Sequence, residues 1–438
     1  MSARLLGDEL PHLITDVPGP RSRALTERLA RVESPNITAI EPPPICWTEA
    51  RGAAVRDADD NIYVDLTAGF GVAHAGHADP RVAAAIADQA SRLAHGLGDV
   101  FPPEPKIRLL ERLAEIAPGD LGMSILANSG AEAVEAALKT AVLRTHRPGI
   151  IAFEGAYHGL TYGALATTWR SDFRAPFSAQ LFAGVRFAPF PVARLDATLA
   201  AVDRILADAE PAAHPIGAII LEPVLGRGGL HVPPAGFLAA LREHCGGERV
   251  VFIIDEIYTG CGRTGRWFAC EHEGVVPDIL VVGKALSGSL PISAAIGTPS
   301  VMRAWPVSTG EAIHTSTFLG NPIACAAALA QLDAIASDDL LRRAERLGEV
   351  IREKTRSWCT RFDDVGEPRG RGLLQGAPMR GPRQALRVAD RCLRRGVLLL
   401  AEGTDGEILA ITPPAVITEP QLDFALAVVE EAIRAEVE

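Results

Sequence analysis

The chain has 438 residues, 48% of them hydrophobic, which is enough for two domains around a substantial core. Its formal net charge of -11 argues against a nucleic-acid or anionic-membrane partner, since both favour clustered Lys and Arg. A small-molecule partner is therefore expected. The N-terminus lacks a secretion signal, and charges or prolines interrupt the apolar runs, so we expect a cytoplasmic protein.

The seven cysteines form no CxxC pair, and their number is odd. This pattern favours reduced thiols, most of them in the core, over a disulfide framework or a zinc site. We therefore expect no metal. The cysteines are Cys46, Cys245, Cys261, Cys270, Cys325, Cys359 and Cys392.

The order of elements along the chain predicts an α/β protein. Residues 1–64 are rich in proline and turn signals and are expected to form an arm that joins the C-terminal domain. Between 65 and 325, helical patterns alternate with the apolar runs AIIL (218–221), VVFII (250–254) and ILVV (279–282), which is typical of buried parallel strands. This predicts a large, doubly wound, mostly parallel sheet domain. Residues 326–438, with an Ala-rich helix and then short strands and helices, predict a smaller α/β domain.

The strongest chemical pattern is FIIDEIYTGCGRTG (252–265) followed by DILVVGKALSGS (278–289). Asp255 and Lys284 each follow a candidate strand, so both should lie at the carboxyl edge of one sheet. Pyridoxal 5′-phosphate (PLP) chemistry needs this pair: a lysine amine to form the Schiff base and a carboxylate to keep the pyridine nitrogen protonated. The alternative is that Asp255 caps a loop and Lys284 is a surface lysine, although a charge at a buried strand end is costly unless it is used.

The stretch GCGRTG (260–265) also satisfies the GxGxxG pattern of a dinucleotide site. Five residues separate the strand from its first glycine, and RWFACEHEGVVP follows the last one, with no long helix to receive a pyrophosphate. The pattern therefore argues against a dinucleotide site.

The segment 252–289 closely resembles the signature of class III aminotransferases, which are PLP enzymes of fold type I, and the resemblance extends over roughly residues 15–435. It implies that Lys284 carries the cofactor as a Schiff base and that Asp255 contacts the pyridine nitrogen. It also implies amino transfer from an amine or amino acid to a 2-oxo acid through pyridoxamine phosphate.

The stretch ANSGAEAVEAALKTA (127–141) places small residues before a helix. From the residues alone, Ser129 is a helix cap, although the N–H groups of Ser129, Gly130 and Ala131 also suit an anion. Class III enzymes have a matching segment that binds the phosphate of PLP, so the resemblance implies that these three residues bind it here.

In FEGAYHGLTYGAL (153–165), the resemblance implies that Tyr157 stacks on the pyridine with His158 beside it and Ile257 on the opposite face. A core tyrosine and a core histidine are the alternatives. Glu222, in LEPVLGRGG (221–229), matches a family glutamate at a strand end, and we group it with Lys284 and Asp255 as catalytic.

Two further segments are assigned by the resemblance. In HTSTFLGNP (314–322), Thr317 matches the threonine that reaches the phosphate in the neighbouring subunit, which implies a homodimer. The segment GFGVAHAGHADP (69–80) lies near the substrate in the family, so Gly71 and Val72 are expected there.

The substrate side departs from the family. Members that act on 4-aminobutyrate or ornithine bind carboxylates with two arginines, and Ala410 and Val142 stand at those positions here. Leu225 replaces an expected glutamine, and Arg227 replaces a glutamate that pairs with one of the arginines. We hypothesise that Arg227 now receives a substrate carboxylate; the alternative is that it points to solvent.

Two reactions fit these motifs. The leading prediction is an aminotransferase in which Lys284 exchanges with the substrate amine and then moves the proton. The alternative is an amino-acid racemase, epimerase or aminomutase on the same scaffold with the same lysine. A non-catalytic protein would not be expected to keep both Lys284 and Asp255. The identity of the amine is not determined by the sequence.

Overall fold

The N-terminal segment pairs with the C-terminal part of the chain. The computed structural model describes residues 6–209, 213–245 and 249–438. After helix α1 (Pro20–Leu29) come three antiparallel strands, β1 (Trp47–Arg51), β2 (Ala54–Asp57) and β3 (Ile62–Asp65). A strand at Val397–Leu398 joins β3 in parallel. The contact agrees with the expected role of the arm, while the domain boundaries stay a prediction.

The central feature is a seven-stranded sheet. In chain order its strands are β4 (Met123–Ala127), β5 (Gly149–Phe153), β6 (Val185–Ala188), β7 (Ile216–Leu221), β8 (Val251–Asp255), β9 (Ile279–Val282) and β10 (Ser293–Gly297). The spatial order is β4-β10-β9-β8-β7-β5-β6, and β10 alone runs antiparallel to its neighbours among the described pairings. The predicted mostly parallel sheet is confirmed.

Both faces of this sheet are covered, which explains the continuous apolar runs. On β8, Ile253 packs into the cluster beneath one helix, Gly130–Thr145, while Phe252 and Ile254 face the larger core on the other side. Successive side chains of a strand point to opposite faces, so a strand buried on both sides must be apolar throughout.

Ten α-helices of the described ranges lie between residues 68 and 337, before, among and after the strands of this sheet in the chain. They are α2 (Ala68–Gly71), α3 (Pro80–Arg92), α4 (Glu104–Ile116), α5 (Gly130–Thr145), α6 (Tyr162–Thr167), α7 (Ser171–Arg174), α8 (Asp196–Ala209), α9 (Phe237–His244), α10 (Pro299–Met302) and α11 (Pro322–Ser337). Short 3₁₀ helices span Ala175–Gln180, Ala269–Glu273 and Lys284–Leu286. The glycines at 260–265 are followed by the short 3₁₀ helix Ala269–Glu273.

The C-terminal part contains helices α12 (Leu340–Arg361), α13 (Gln384–Leu393) and α14 (Glu419–Val437). Its strands are β11 (Arg369–Arg371), β12 (Leu374–Pro378), β13 (Val397–Leu398), β14 (Leu400–Glu402) and β15 (Ile408–Ile411). Four of them form an antiparallel sheet in the order β11-β12-β15-β14. None of the helices in the described ranges has both the length and the apolar character required of a membrane-spanning segment.

Candidate active site

Three neighbouring strands end in polar side chains at one edge of the large sheet. Asp255 is the last residue of β8, and Glu222 directly follows β7. The register pairs Leu221 with Ile254 and Asp255 with Val281, so Lys284, just beyond β9, lies beside them. The sheet therefore brings Glu222, Asp255 and Lys284 together at its carboxyl edge.

Lys284 has the properties of a reactive amine. It is the first residue of the 3₁₀ helix Lys284–Leu286. Its φ of 42° lies in the left-handed region of the backbone, which residues other than glycine rarely adopt. Its Nζ lies 3.7 Å from the centroid of the Tyr258 ring. Burial lowers the pKa of the amine to about 8, against the opposing charges of Glu222 and Asp255. About one such amine in ten is therefore neutral at pH 7, compared with fewer than about one in a thousand at the ordinary pKa of lysine.

Asp255 is a buried carboxylate held from two sides. It is 3% exposed; its Oδ1 accepts from the N–H of Ile257 at 3.0 Å, and its Oδ2 lies 2.7 Å from His158 Nδ1. Because a carboxylate only accepts, His158 Nδ1 carries the proton of this bond. Further lone pairs on the carboxylate remain able to accept from a protonated ring nitrogen. The structure thus places His158 behind Asp255, as a residue that orients the carboxylate.

Glu222 connects two loops of the site. Its Oε2 accepts from the N–H of Tyr157 at 2.9 Å, and its Oε1 accepts from the N–H of Gly226 at 3.1 Å. Burial raises the pKa of this carboxyl to about 7, and the nearby His158 opposes that shift. Glu222 therefore fixes the backbone of the segments that carry Tyr157 and Arg227.

The N-terminus of α5 borders the same site. Ser129 caps the helix, accepting from Glu132 N–H at 3.2 Å, and its exposed hydroxyl can still donate to an anion. A Cβ at Gly130 would lie 2.7 Å from Ile257 Cδ1, so glycine is required for this close approach. With Ala131 in the first turn, the helix presents unpaired N–H groups of the kind that bind phosphate.

Arg227 faces the site. Its guanidinium carbon lies 4.9 Å from the Tyr157 ring centroid and 5.8 Å from that of Phe173. Its Nε lies 3.9 Å from Oε2 of Glu402, whose side chain is 6% exposed. The Arg227 side chain is 38% exposed, so it packs against protein on one side and stays partly accessible on the other. These contacts favour an Arg227 side chain that lies in the site over one that points only to solvent.

Gly71 and Lys284 both lie against the Tyr258 ring. Gly71 has a φ of 81°, and a Cβ there would lie 2.5 Å from Tyr258 Cε2. Its carbonyl accepts from Arg263 at 3.3 Å. Val72 is partly buried next to Gly71 and is near the site by its position in this segment.

Thr317 is exposed in the irregular segment that follows residue 303. The neighbouring Ser316 accepts from Asn128 Nδ2 at 2.9 Å, which places this segment beside the N-terminus of α5 in the same chain. The expected contact of Thr317 with a neighbouring subunit stays a prediction.

The positions at which this chain departs from the family pattern, Ala410 and Val142 for the two arginines and Leu225 for the glutamine, differ in location. Ala410 is buried beside Tyr258 in a small apolar cluster, and Leu225 is buried against Gly155 and Gly228. Val142 is 40% exposed on α5. Of these positions, Ala410 therefore borders the site directly.

Several residues of the site were missed from the sequence. Glu402 and Tyr258 contribute charge and an aromatic face, while Arg263 is fully buried and donates to the carbonyls of Gly71 and, at 2.6 Å, Pro413. Tyr258 directly follows Ile257 in the strongest motif, so its position was a usable signal. Glu402 follows the apolar run 397–401, and an acidic residue that ends such a run could have been noticed.

These residues fit PLP. Asp255 offers buried lone pairs for a pyridinium N–H, the N-terminus of α5 offers N–H groups for a phosphate, and Lys284 offers an amine whose pKa is lowered. The apolar Ile257 and the aromatic Tyr157 border the same site.

Comparisons with known proteins agree with this geometry. Residues 37–433 match the family model described as aminotransferase class-III. The chain is 39% identical over 392 residues to an acetylornithine aminotransferase of Methanopyrus kandleri, covering 90% of this chain and 95% of that protein. It is 36% identical over 440 residues to a 4-aminobutyrate aminotransferase of Mycobacterium tuberculosis, covering 95% and 96%.

A solved ornithine aminotransferase from Toxoplasma gondii, with PLP partially occupying its active site, superimposes with a TM-score of 0.83 at 32% identity, covering 94% of each chain. The chain therefore belongs to the class III aminotransferases, PLP-dependent enzymes of fold type I that transfer amino groups.

Proposed function

We propose that Lys284, Asp255 and the N-terminus of α5 together bind PLP, and that Arg227 selects substrates carrying a carboxylate. The observation that carries the proposal is the meeting of Glu222, Asp255 and Lys284 at three adjacent strand ends. Bound PLP supplies an electron-withdrawing ring that stabilises negative charge on the substrate carbon.

Each residue of the site has a separate role in the proposal. The neutral amine of Lys284 would take a proton from the substrate carbon and pass it to the cofactor, not back to that carbon, because burial makes the amine a base near neutral pH. Asp255, oriented by His158, holds the ring nitrogen, while Ser129, Gly130 and Ala131 hold the phosphate. Glu222 acts by positioning the backbone of Tyr157 and Gly226.

Tyr157 and Ile257 flank the ring in this proposal. Ile257 packs against Gly130 at the phosphate end, and the backbone of Tyr157 is fixed by Glu222. The positions of these two residues agree with the proposal that a flat cofactor is held between an aromatic and an aliphatic side chain.

Arg227 is the proposed carboxylate receptor because a cation over an aromatic ring, with one accessible side, can still form charge-assisted hydrogen bonds. Gly71 and Val72 border the same space. The substrates are therefore an amine or amino acid and a 2-oxo acid. The expected cytoplasmic location stays a prediction.

The test compares Arg227→Ala with the control Arg194→Ala, which removes an exposed arginine that pairs with Asp196. We expect KM for 2-oxo acids to rise about tenfold or more in Arg227→Ala, because a hydrogen bond to a charged group contributes about 1.5–3 kcal/mol. KM for an amine without a carboxylate should not change. An unchanged KM for the 2-oxo acid in Arg227→Ala excludes the receptor role.

We further propose a homodimer in which Thr317 reaches the phosphate bound by the neighbouring subunit. The exposure of Thr317, beside the segment that contacts Asn128, supports this arrangement. Mixing the Thr317→Ala and Lys284→Ala proteins should restore activity, because the mixed dimer then has one site with both native residues. If Thr317 acts within its own chain, the mixture stays as impaired as its components.

A further inference from the structure

A second cavity lies away from the carboxyl edge of the large sheet and is rich in arginine. It has a volume of about 670 Å³ and lies between the segment 366–371, the end of β12, helix α12 and residues 231–232. Four arginines line it: Arg352, Arg369, Arg371 and Arg380. We refer to it as the arginine cavity. Its volume is within the range of small-molecule sites.

The arginines of the arginine cavity make few direct ion pairs. Two glutamates, Glu367 and Glu407, also line the cavity, and the charges of Glu349 and Glu273 act on Arg352 and Arg371. Within the described residues, the guanidinium groups of Arg369, Arg371 and Arg380 form no ion pair with a carboxylate, and Arg352 has Glu349 at 3.7 Å.

Burial increases the cost of this arrangement. It lowers the pKa of Arg369 against the opposing charge of Glu407, and that of Arg371 against the opposing charge of Glu273, while Arg352 adds to the lowering at Arg371. Desolvated like charges destabilise each other unless an anion joins them. The arginine cavity therefore carries a free-energy cost that a bound anion would relieve.

One of these arginines is connected to the active site. Arg369 Nη1 donates to Gly229 O at 3.1 Å and to His231 Nε2 at 2.9 Å. Burial lowers the pKa of His231 to about 4, with the charge of Arg369 adding to the effect, so this ring is neutral and can accept. Gly229 lies two residues after Arg227, in the loop fixed by Glu222.

We propose that the arginine cavity binds a small phosphate-bearing anion and that its occupancy changes substrate binding at Arg227. A phosphate monoester carries about two negative charges at neutral pH, and arginine binds phosphate through paired hydrogen bonds, which suits guanidinium groups that make no ion pair within the described residues. An anion that draws Arg369 toward it competes with Gly229 O, and the loop that carries Arg227 responds.

Binding is tested by calorimetry on the PLP-loaded enzyme, with inorganic pyrophosphate as the probe at ionic strength kept constant with NaCl. We expect saturable binding that Arg371→Gln, and separately Arg380→Gln, weakens about tenfold or more. The matched control is Arg395→Gln, an exposed arginine outside the arginine cavity, and it should bind as the parent enzyme does. Equal binding in all four proteins, or none in the parent, overturns the proposal.

Two further comparisons separate the possible sources of a signal. Arg227→Ala should bind pyrophosphate normally; loss of binding there would place the anion in the active site instead. Malonate, a dianion without phosphate, should bind more weakly, and equal affinity would overturn the assignment to phosphate. Because calorimetry needs no turnover, these results do not depend on the function proposed for Arg227.

The connection to Arg227 is tested by kinetics. Saturating pyrophosphate should change KM for the 2-oxo acid about fivefold or more in the parent enzyme and leave it unchanged in Arg371→Gln. An identical KM with and without bound pyrophosphate refutes the connection. Equal unfolding midpoints of Arg371→Gln and the parent enzyme exclude a folding defect as the cause of lost binding.

Discussion

Replacing His158 with leucine should weaken PLP binding at some cost in fold stability. The side chain is 1% exposed, and its Nδ1–H donates to Asp255 over 2.7 Å. A hydrogen bond to a charged group contributes about 1.5–3 kcal/mol, so its loss predicts a PLP affinity lower by about ten- to hundredfold. Because His158 Nε2 has no hydrogen-bond partner among the described residues, leucine also removes a buried unpaired atom, which offsets part of the cost in stability.

The matched control is His158→Asn, whose amide nitrogen can take the position of Nδ1. Titrating each apoenzyme with PLP and following cofactor absorbance gives the affinities, while chemical denaturation gives the free energies of unfolding. Asparagine should recover most of the affinity that leucine loses. Equal losses in the two variants would show that packing, and not the donor to Asp255, is what matters. Unchanged affinity in His158→Leu would refute the positioning role.

Three further predictions concern single groups. The rate at which the apoenzyme binds PLP covalently should increase with pH, with its midpoint at about pH 8, because the amine of Lys284 reacts when neutral. A stopped-flow rate that does not depend on pH would contradict the lowered pKa. Gly71→Ala should reduce kcat/KM about tenfold or more, since its Cβ would meet Tyr258, whereas Gly236→Ala, with a similar φ and nothing within 4 Å, should leave kinetics unchanged; equal activities would refute the contact. Burial lowers the pKa of His74 well below 6.5, so below that pH the unfolded chain binds a proton that the folded chain does not. Acidification from pH 6.5 to about pH 5 should therefore lower the free energy of unfolding by up to about 2 kcal/mol. In urea unfolding, His74→Leu should show a flatter dependence of this free energy on pH, and identical slopes for the two proteins would contradict the prediction.

The cofactor side of the site could be predicted because its residues lie in short motifs at strand ends. Buried parallel strands are continuous apolar runs, so the residues that follow β8 and β9 necessarily meet at one edge. Asp255 and Lys284 were therefore assigned to the same place from local patterns. The helix after Ser129 was recognised in the same way. The structure shows that Ser129 caps this helix, while its binding of the cofactor phosphate remains a proposal.

The substrate side could not be predicted to the same degree because it depends on distant segments. Glu402 approaches Arg227 from a strand of the C-terminal sheet, and nothing local to either residue indicates their separation of 3.9 Å. The replacement of the family's arginine by Ala410 was visible, yet the acidic residue that now lies nearby was not. His158 was expected beside the ring, and only the three-dimensional structure shows that it contacts Asp255.

Locating the covalently bound cofactor tests the central claim most directly. The sequence contains four lysines, Lys106, Lys139, Lys284 and Lys354, so the assignment has few alternatives. The PLP-loaded enzyme is reduced with borohydride, digested, and analysed by mass spectrometry for the peptide that carries the reduced cofactor. We expect the modification on the peptide containing Lys284, at one cofactor per chain, and no modification in Lys284→Ala. Modification of one of the other three lysines, or of the Lys284→Ala protein, would contradict the account.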